Sequence, residues 1–242
     1  MDTQRIRLSK FLLEFALLAR NFDGTPDAIR TFRHVVARID PSVLRHFLPG
    51  QISRIVSFFG RMIDTSTKES SGICYAEVFK DDFCFVNVFG FSRPGLRIPL
   101  HDHPSQFAAM KVFQGSVRIR SFSIVPDSEE DSSDVDSFSD SDRFVTTRFL
   151  GETILSSKPG QEHCAVLEPH RGNIHEVVSL EPHTYFCDFF IPRANDCNYY
   201  NSVPTDTLVS GELVHLRRVN CPRDFVCRHL NFVSFSKLEH IE

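Results

Sequence analysis

Several features that mark common classes of protein are missing from this chain of 242 residues. It has no Trp, no block of consecutive basic residues, and no CxxC pair among its seven cysteines. The lack of a basic block argues against nucleic acid as the main partner. An odd number of scattered cysteines is typical of a reducing compartment rather than of a disulfide framework. We therefore expect a cytoplasmic protein, with the nucleus as a second compartment.

The chain also lacks a long apolar run. The longest one near the start, Phe11 to Ala19, contains Glu14 and is far shorter than the ~20 residues that span a membrane. The early arginines leave a mitochondrial presequence open as an alternative. Asp2 and Glu14 disfavour it, because such presequences contain few acidic residues. We expect a monomer that does not associate with a membrane.

Helical signals are present in residues 1–50. Apolar residues within 3–20 recur at the spacing of an amphipathic helix. The sequence Thr25-Pro26-Asp27 is typical of an N-cap followed by proline at the first helical position, which predicts a second helix to about Ile39. A third, short helix is expected between Pro41 and Pro49. Residues 1–50 should therefore form an N-terminal helical segment that packs on the rest of the chain.

From about Ile73 the pattern changes to short β-branched and aromatic runs, separated by turns with Gly, Pro and Asp. Many short strands of this kind predict a mainly β chain, folded as an antiparallel sandwich or barrel. Strands are expected at 74–79, 83–89, around residues 101 and 103, 111–124 with a turn at 114–115, 143–150, 153–156, 164–167, 174–180, 185–191 and within 212–235.

An acidic, Ser-rich tract at 127–142 interrupts this rhythm. Such a tract cannot bury enough apolar surface to offset the entropy of ordering it, so we expect a disordered loop. Its serines beside acidic residues also fit an acidophilic kinase, although a solvated loop is the simpler interpretation.

The clearest chemical signal is His101-Asp102-His103. Side chains alternate along a strand, so the two histidines share one face while Asp102 points away. Two imidazoles form half of a metal site, and His175 is the best candidate for a third ligand. Neutral imidazoles suit iron, zinc, copper or nickel. HxH alone is a weak signal, but here a glycine, Gly95, stands six positions before His101.

Four other histidines are weaker candidates. His163 and His170 both precede His175 in the sequence, close to it but off the matching position of its motif, and both fit strand-edge or turn positions. His163 has the alternative role of supporting a metal ligand. His34 and His46 belong to the helical region and are expected at the surface or in packing.

The spacing G-x5-H-x-H followed by P-x-x-G-x-x-H resembles the two cupin motifs. Fuller strings resemble the thiol dioxygenases of the cysteamine dioxygenase and plant cysteine oxidase family, over nearly the whole chain except the acidic tract. These strings are IPLHDHP, KVFQGSVRI, GNIHEV, YFCDFF at 185–190, DCNYY at 196–200 and PRDFVC at 222–227. The resemblance implies a cupin double-stranded β-helix, an antiparallel jelly-roll barrel, with N-terminal α-helices. Residues 51–242 would form the thiol dioxygenase domain.

The same resemblance implies ferrous iron held by His101, His103 and His175. It implies a reaction in which O2 oxidises a thiol next to an amine, in cysteamine or at the N-terminal cysteine of a polypeptide, to a sulfinate, an activity linked to oxygen sensing. No Asp or Glu follows the HxH within Pro104–Ala108. Three neutral ligands then leave the charge of a divalent ion uncompensated, which favours an anionic thiolate, and zinc cannot supply electrons to O2. A cupin with another metal and reaction, such as isomerisation, and a non-catalytic binding or regulatory cupin remain as alternatives.

Three further residues are candidate catalytic groups. Asp188 lies in an apolar strand, where a buried carboxylate without a partner is costly. The family carries an acidic residue there that acts near the substrate amine, whereas a structural salt bridge is the alternative. In some relatives a Cys-x-Tyr pair matching Cys197 and Tyr199 forms a thioether near the iron, and ordinary strand packing is the alternative.

Two departures from the family bear on the substrate. Ser105 stands where relatives usually have Gly, and the loop at 191–195 is shorter than theirs and lacks their Tyr. A free-cysteine dioxygenase also needs a cation for the substrate carboxylate. Alternation places Arg118 and Arg120 outward, and Pro99 interrupts the strand that carries Arg97, the remaining candidate. We therefore expect oxidation of cysteamine and, in preference, of peptides with an N-terminal cysteine.

Overall fold

The computed structural model describes residues 3–43, 72–126, 144–194, 196–201 and 208–229. Two helices, α1 Thr3–Arg20 and α2 Pro26–Arg38, precede all of the strands. The strands are β1 Ile73–Lys80, β2 Phe85–Phe91, β3 Arg97–Asp102, β4 Phe107–Gln114, β5 Ser116–Ile124, β6 Phe144–Ser156, β7 Cys164–Leu167, β8 Ile174–Ser179, β9 Thr184–Ile191, β10 Asn198–Tyr200, β11 Leu213–Val219 and β12 Arg228–His229.

Both long helices begin and end close to the predicted bounds. Thr25 is the N-cap of α2, and its side-chain oxygen accepts a hydrogen bond from the Ala28 N–H at 3.3 Å, with Pro26 at the first helical position. The third predicted helix, His46 and the acidic tract at 127–142 lie wholly or largely outside the described residues. Neither described helix is long and apolar enough to cross a membrane.

The strands form two six-stranded sheets that pack face to face. The first has the order β12-β1-β2-β9-β4-β7, and the second closes on itself as β10-β11-β6-β5-β8-β3. All pairings are antiparallel except that of β1 with β12. Because most neighbouring strands, such as β2 and β9 or β3 and β8, are far apart in sequence, the chain crosses repeatedly between the sheets, as in a jelly roll. This confirms the predicted mainly β jelly-roll barrel with N-terminal α-helices.

The helices cover the outer face of the first sheet. Phe11 and Phe15 of α1 pack edge-on against Phe189 of β9, with ring centroids 5.7 and 5.3 Å apart. Lys111 on β4 is buried, and its ammonium donates hydrogen bonds to the carbonyls of Ala37 and Ile39 at the end of α2. One apolar cluster therefore joins the helices to the barrel.

The inner faces of the two sheets form the second part of the core. Residues of even number on β9, namely Phe186, Asp188 and Phe190, point inward, while the odd residues face the helices. On β2 the parity is reversed, so Asn87 faces the same interior as Asp188. This alternation decides which polar side chains reach the space between the sheets.

The prediction of separate strands at 143–150 and 153–156 was wrong. One strand, β6, spans both, and an extra residue at Leu150 forms a bulge, since Phe122 pairs with Phe149 and Ser121 with Gly151. Gly151 has a φ of +119°, which only glycine adopts without strain. Leu150 and Gly151 therefore form a bulge within one continuous strand.

Candidate metal centre

Three histidines meet inside the barrel. His101 lies on β3 directly opposite His175 on β8, and His103 follows the end of β3. One ring nitrogen from each lies within 4.8 Å of the others, and the Nε2 atoms of His101 and His103 are 3.1 Å apart. They line a cavity of about 200 Å³. The structure thus brings together the three ligands that were predicted from sequence.

Backbone carbonyls set the protonation of two of the rings. The Pro99 carbonyl lies 2.8 Å from Nδ1 of His101, and the Asn173 carbonyl lies 2.7 Å from Nδ1 of His175. A carbonyl can only accept a hydrogen bond, so each Nδ1 carries the proton. The Nε2 lone pairs are then free to point at a common ion.

Burial keeps these rings neutral. Desolvation lowers the pKa of His101, and it lowers the pKa of His103 and His175 to well below the usual value, with repulsion among the histidines adding to the shift. The Nε2 atoms of His101 and His103 are 3.1 Å apart, and the His101 Nε2 atom acts there as an acceptor because its Nδ1 carries the proton. Nitrogen ligands at right angles around a metal with bonds of ~2.1 Å are about 3 Å apart. The donor set therefore fits a divalent transition-metal ion.

Two side chains that the sequence did not single out hold the ligand strands in register. Asn173 bridges the backbone of His103, because its Oδ1 accepts from the His103 N–H at 3.0 Å and its Nδ2 donates to the His103 carbonyl at 2.9 Å. Gln106, which is almost fully buried, donates to the Pro192 carbonyl at 2.8 Å and so fixes the loop after β9. The placement of Asn173 inside GNIH was the only signal for this role.

Asp102 points away from the cavity, as alternation predicted. It accepts hydrogen bonds from the Asn198 backbone and side chain at 3.1 and 2.9 Å and from the Tyr200 hydroxyl at 2.7 Å. These contacts tie β10 to β3 and position the segment that carries Cys197 and Tyr199.

Asp188 faces the cavity from β9 and is 8% exposed. Among the described residues, the Asp188 carboxyl forms neither an ion pair nor a hydrogen bond. The structural salt bridge considered above is therefore not seen in that part of the chain. Desolvation alone raises the pKa of this carboxyl to well above its usual value. An unpartnered buried carboxyl costs free energy of folding, which is typical of a group reserved for a ligand.

Asn87 is a candidate site residue that sequence reasoning missed. It lies directly opposite Asp188 in the pairing of β2 with β9, lines the same cavity, and is 7% exposed. Its Oδ1 is fully enclosed and has no hydrogen-bond partner within the described part of the chain. An Asn within the apolar run 83–89 was the available signal, but only the strand register places it against Asp188.

Cys197 lines the cavity at its exposed rim. Tyr199, two residues on, pairs with His101 across β10 and β3, and the two rings are 6.2 Å apart. Desolvation raises the pKa of the Cys197 thiol to about 12. The pKa of the Tyr199 phenol is raised by desolvation and by the nearby Cys197 and Cys221.

No Arg or Lys is among the cavity-lining residues that the structure describes. A bulge between Ile98 and His101 turns Arg97 outward, where it is half exposed and lies 3.7 Å from Glu176. Arg120 also points outward and pairs with Glu152 at 2.6 Å, which confirms the predicted alternation on β5. The described lining of the cavity therefore offers no cation to a substrate carboxylate.

The remaining sequence candidates lie elsewhere. His163 and His170 are not among the described residues that line the cavity, and Nδ1 of His163 lies 3.4 Å from the Gln161 carbonyl. His34 is exposed on α2. Ser105 has a φ of +62°, so it occupies a left-handed conformation at the position where relatives usually have Gly.

Comparisons with known proteins agree with these motifs. The PCO_ADO family model matches residues 37–234. The chain is 27% identical over 145 residues to 2-aminoethanethiol dioxygenase from Homo sapiens and 26% identical over 147 residues to the Mus musculus protein. These matches cover 53% and 54% of this chain and 52% and 55% of the relatives, so the chain spans about half the length of the curated relatives it matches.

Among solved structures, KdgF from Halomonas sp. matches 56% of this chain and 92% of its own, with 18% identity and a TM-score of 0.33, which is too low to inform the fold or the activity. The family model covers most of the chain, including all three clustered histidines and Asp188. The chain belongs to the PCO_ADO family.

Proposed function

We propose that this protein is a non-haem iron thiol dioxygenase that oxidises a thiol next to an amine. The overall change is RSH + O2 → RSO2H, in which both oxygen atoms enter the sulfinate. The observation that carries the proposal is a cluster of three neutral histidines in a cavity where the Asp188 carboxyl and the Asn87 Oδ1 atom have no hydrogen-bond partner among the residues that the structure describes.

The histidines provide the metal ligands of the proposed enzyme. His101, His103 and His175 would hold ferrous iron, which supplies the electrons that O2 requires and a cationic site for a thiolate. Because all three ligands are neutral, they leave the charge of the ion uncompensated. This charge favours a substrate that arrives as a thiolate.

Asp188 and Asn87 are suited to hold the substrate amine. An ammonium group carries three donors and a positive charge, whereas the cavity presents a carboxyl and an amide oxygen that lack donors. Opposed side chains on neighbouring strands have Cβ atoms about 5 Å apart, so a single ammonium can contact both. Its charge would hold Asp188 ionised, offset its desolvation, and leave a carboxylate that can accept the thiol proton.

The absence of a cation from the described cavity lining argues against free cysteine as the substrate. Its carboxylate would meet the negative charge of Asp188 without an Arg or Lys to pair with. Cysteamine and an N-terminal cysteine lack a carboxylate at that point. The aliphatic and aromatic wall, formed by Phe89, Ile98, Val177 and Phe190, would exclude water from the reacting sulfur.

Between the two aminothiols we favour the N-terminal cysteine of a polypeptide. Asp196 and Cys197 at the rim of the cavity are exposed and Ala194 is half-buried, so a chain that continues from the first residue has a way out. Such an oxidation would mark a protein in response to oxygen. Seven cysteines without a disulfide support a reducing compartment, the cytoplasm or nucleus.

Oxygen uptake by iron-loaded protein, with mass spectrometry of the products, tests the proposal. We expect products about 32 Da heavier from cysteamine and from a peptide with an N-terminal cysteine, and little reaction with free cysteine. A preference for free cysteine would overturn the amine-binding role of Asp188 and Asn87. Iron-loaded protein that consumes no oxygen with any thiol would favour a non-catalytic protein, and turnover only with another metal would indicate a different reaction.

A further inference from the structure

Two cysteines, Cys197 and Cys221, lie two residues beyond the paired ends of β10 and β11. In the pairing of β10 with β11, Tyr199 lies opposite Val219 and Tyr200 lies opposite Arg218. The same register extends at the other end, because the Asn201 N–H donates to the Arg217 carbonyl at 3.0 Å. The recorded pairing ends at Tyr199 and Val219, and the same register continued by two residues would set Cys197 opposite Cys221.

Residues that oppose each other in an antiparallel pair have Cα atoms about 4.5–5.5 Å apart. A disulfide requires a Cα separation of about 4.4–6.8 Å. A register continued to Cys197 and Cys221 would therefore fall within the range in which their sulfur atoms can bond.

The surroundings of Tyr199 support this placement independently. Cys197 and Cys221 both lie close enough to the Tyr199 phenol to raise its pKa, and Cys221 also raises the pKa of the Cys197 thiol. Both cysteines are exposed, so a soluble oxidant can reach them. The other five cysteines are less accessible. Cys227 is half-buried, and the buried ones are Cys74, Cys84, Cys164 and Cys187.

We propose that Cys197 and Cys221 form a reversible disulfide with a low-molecular-weight disulfide of the glutathione type as oxidant. One protein thiolate attacks the oxidant, forms a mixed disulfide and releases one small thiol. The second protein thiolate then attacks the protein sulfur of the mixed disulfide and releases the other small thiol. Two protein S–H bonds become one S–S bond, and the two hydrogens leave on the two small thiols.

The proposed disulfide and a thioether to Tyr199 would both require the sulfur atom of Cys197. Cys197 lines the metal cavity, and in the family resemblance it is the sulfur that would join Tyr199 in a thioether. A sulfur bonded to Cys221 is unavailable to Tyr199. The two modifications are therefore mutually exclusive, and a reductant reverses only the disulfide. The inference does not depend on the proposed reaction, since it needs neither iron nor O2.

The test uses the full chain, reduced and then incubated without oxygen in oxidised glutathione. We expect most chains to lose about 2 Da, to regain it with dithiothreitol, and to yield a peptide pair that joins Cys197 to Cys221. Excluding O2 prevents the formation of an oxygen-dependent thioether. A loss of mass that persists after dithiothreitol treatment would contradict the disulfide.

Three variants separate this pair from other linkages. Cys221→Ser should abolish the loss of mass, whereas Cys227→Ser, which removes a cysteine six residues away, and Tyr199→Phe should retain it. A loss of mass that persists in Cys221→Ser, or a linkage of Cys197 to Cys227, would overturn the assignment. The peptide map of the unaltered chain decides the question even if a variant folds poorly, and a map without the Cys197–Cys221 pair overturns the proposal.

Discussion

Asp102 and Asp188 are two buried carboxyl groups of one barrel, and they differ in their partners. Asp102 is 3% exposed and accepts three hydrogen bonds from Asn198 and Tyr200. Asp188 is 8% exposed, and its carboxyl forms no hydrogen bond or ion pair with any residue that the structure describes. Burial without partners raises the pKa of Asp188. The Asp102 carboxyl is hydrogen-bonded as a structural group, whereas the Asp188 carboxyl is left available to a ligand.

The contrast extends to the residues around each group. The surroundings of Asp102 fix strands, since β3 and β10 are joined through it. The surroundings of Asp188 contain the three histidines and Asn87, whose Oδ1 atom has no hydrogen-bond partner among the described residues. Folding free energy is therefore gained at Asp102 and lost at Asp188, as expected where a site is shaped for a ligand.

Replacing Asp188 should affect catalysis and leave the fold intact. In Asp188→Asn we expect kcat/KM for cysteamine to fall about 1,000-fold, because the charge that holds the ammonium and accepts a proton is lost. The midpoint of thermal unfolding should stay equal or rise, because a costly buried acid is removed. Steady-state oxygen uptake and calorimetry measure the two effects, and a variant that is destabilised yet fully active would reverse the comparison.

Replacing Asp102 should have the opposite result. In Asp102→Ala we expect the free energy of unfolding of the metal-free protein to fall by about 3 kcal/mol, since Asn198 and the Tyr200 hydroxyl lose their acceptor. Asp102→Asn, which keeps one acceptor oxygen, should lose about 1 kcal/mol. Urea titration measures both values, and equal stability of Asp102→Ala and the unaltered protein would show that these hydrogen bonds contribute little.

The pH dependence of metal binding should reflect the depressed pKa of the buried histidines. Ordinary imidazoles would lose a metal as pH falls through ~6.5. Desolvation lowers the pKa of His101, His103 and His175, so protons compete only at lower pH, and we expect iron affinity to stay level from pH 7.5 to about 6. A chelator competition series measures this, and a decline centred at 6.5 would contradict the shifts.

The stability of the metal-free protein should respond to pH with the same sign. The folded state binds fewer protons at these histidines than the unfolded state, whose imidazoles titrate near 6.5. The free energy of unfolding should therefore decrease as pH falls below about 6.5, and urea titrations at several pH values measure it.

The acidic tract should have the smallest effect. The Val125 N–H donates to the Thr146 carbonyl at 2.9 Å, so the ends of the tract at 127–142 are held by a hairpin. Replacing the tract with a short Gly-rich turn should change the free energy of unfolding by less than about 1 kcal/mol and leave turnover nearly unchanged. A large loss of activity in a folded deletion would show that the tract acts at the cavity.

Local patterns were sufficient to predict α1, α2 and the pair His101 and His103, whereas His175 was singled out through a second motif, P-x-x-G-x-x-H. The N-cap at Thr25 and the HxH spacing depend on residues within one turn or one strand, so they are visible in the sequence. Asn87, Asn173 and the β6 bulge depend on which strands become neighbours. The register of β2 against β9 is set by packing over residues that are about 100 positions apart, and no local pattern specifies it.

Metal content tests the central claim most directly. Protein purified without oxygen should hold close to one ferrous ion per chain. His175→Ala should lose most of the iron, and His163→Ala, which removes a histidine outside the cavity, should keep it. Circular dichroism would show that both variants are folded. Equal iron in His175→Ala and His163→Ala would contradict the three-histidine centre and the function proposed for it.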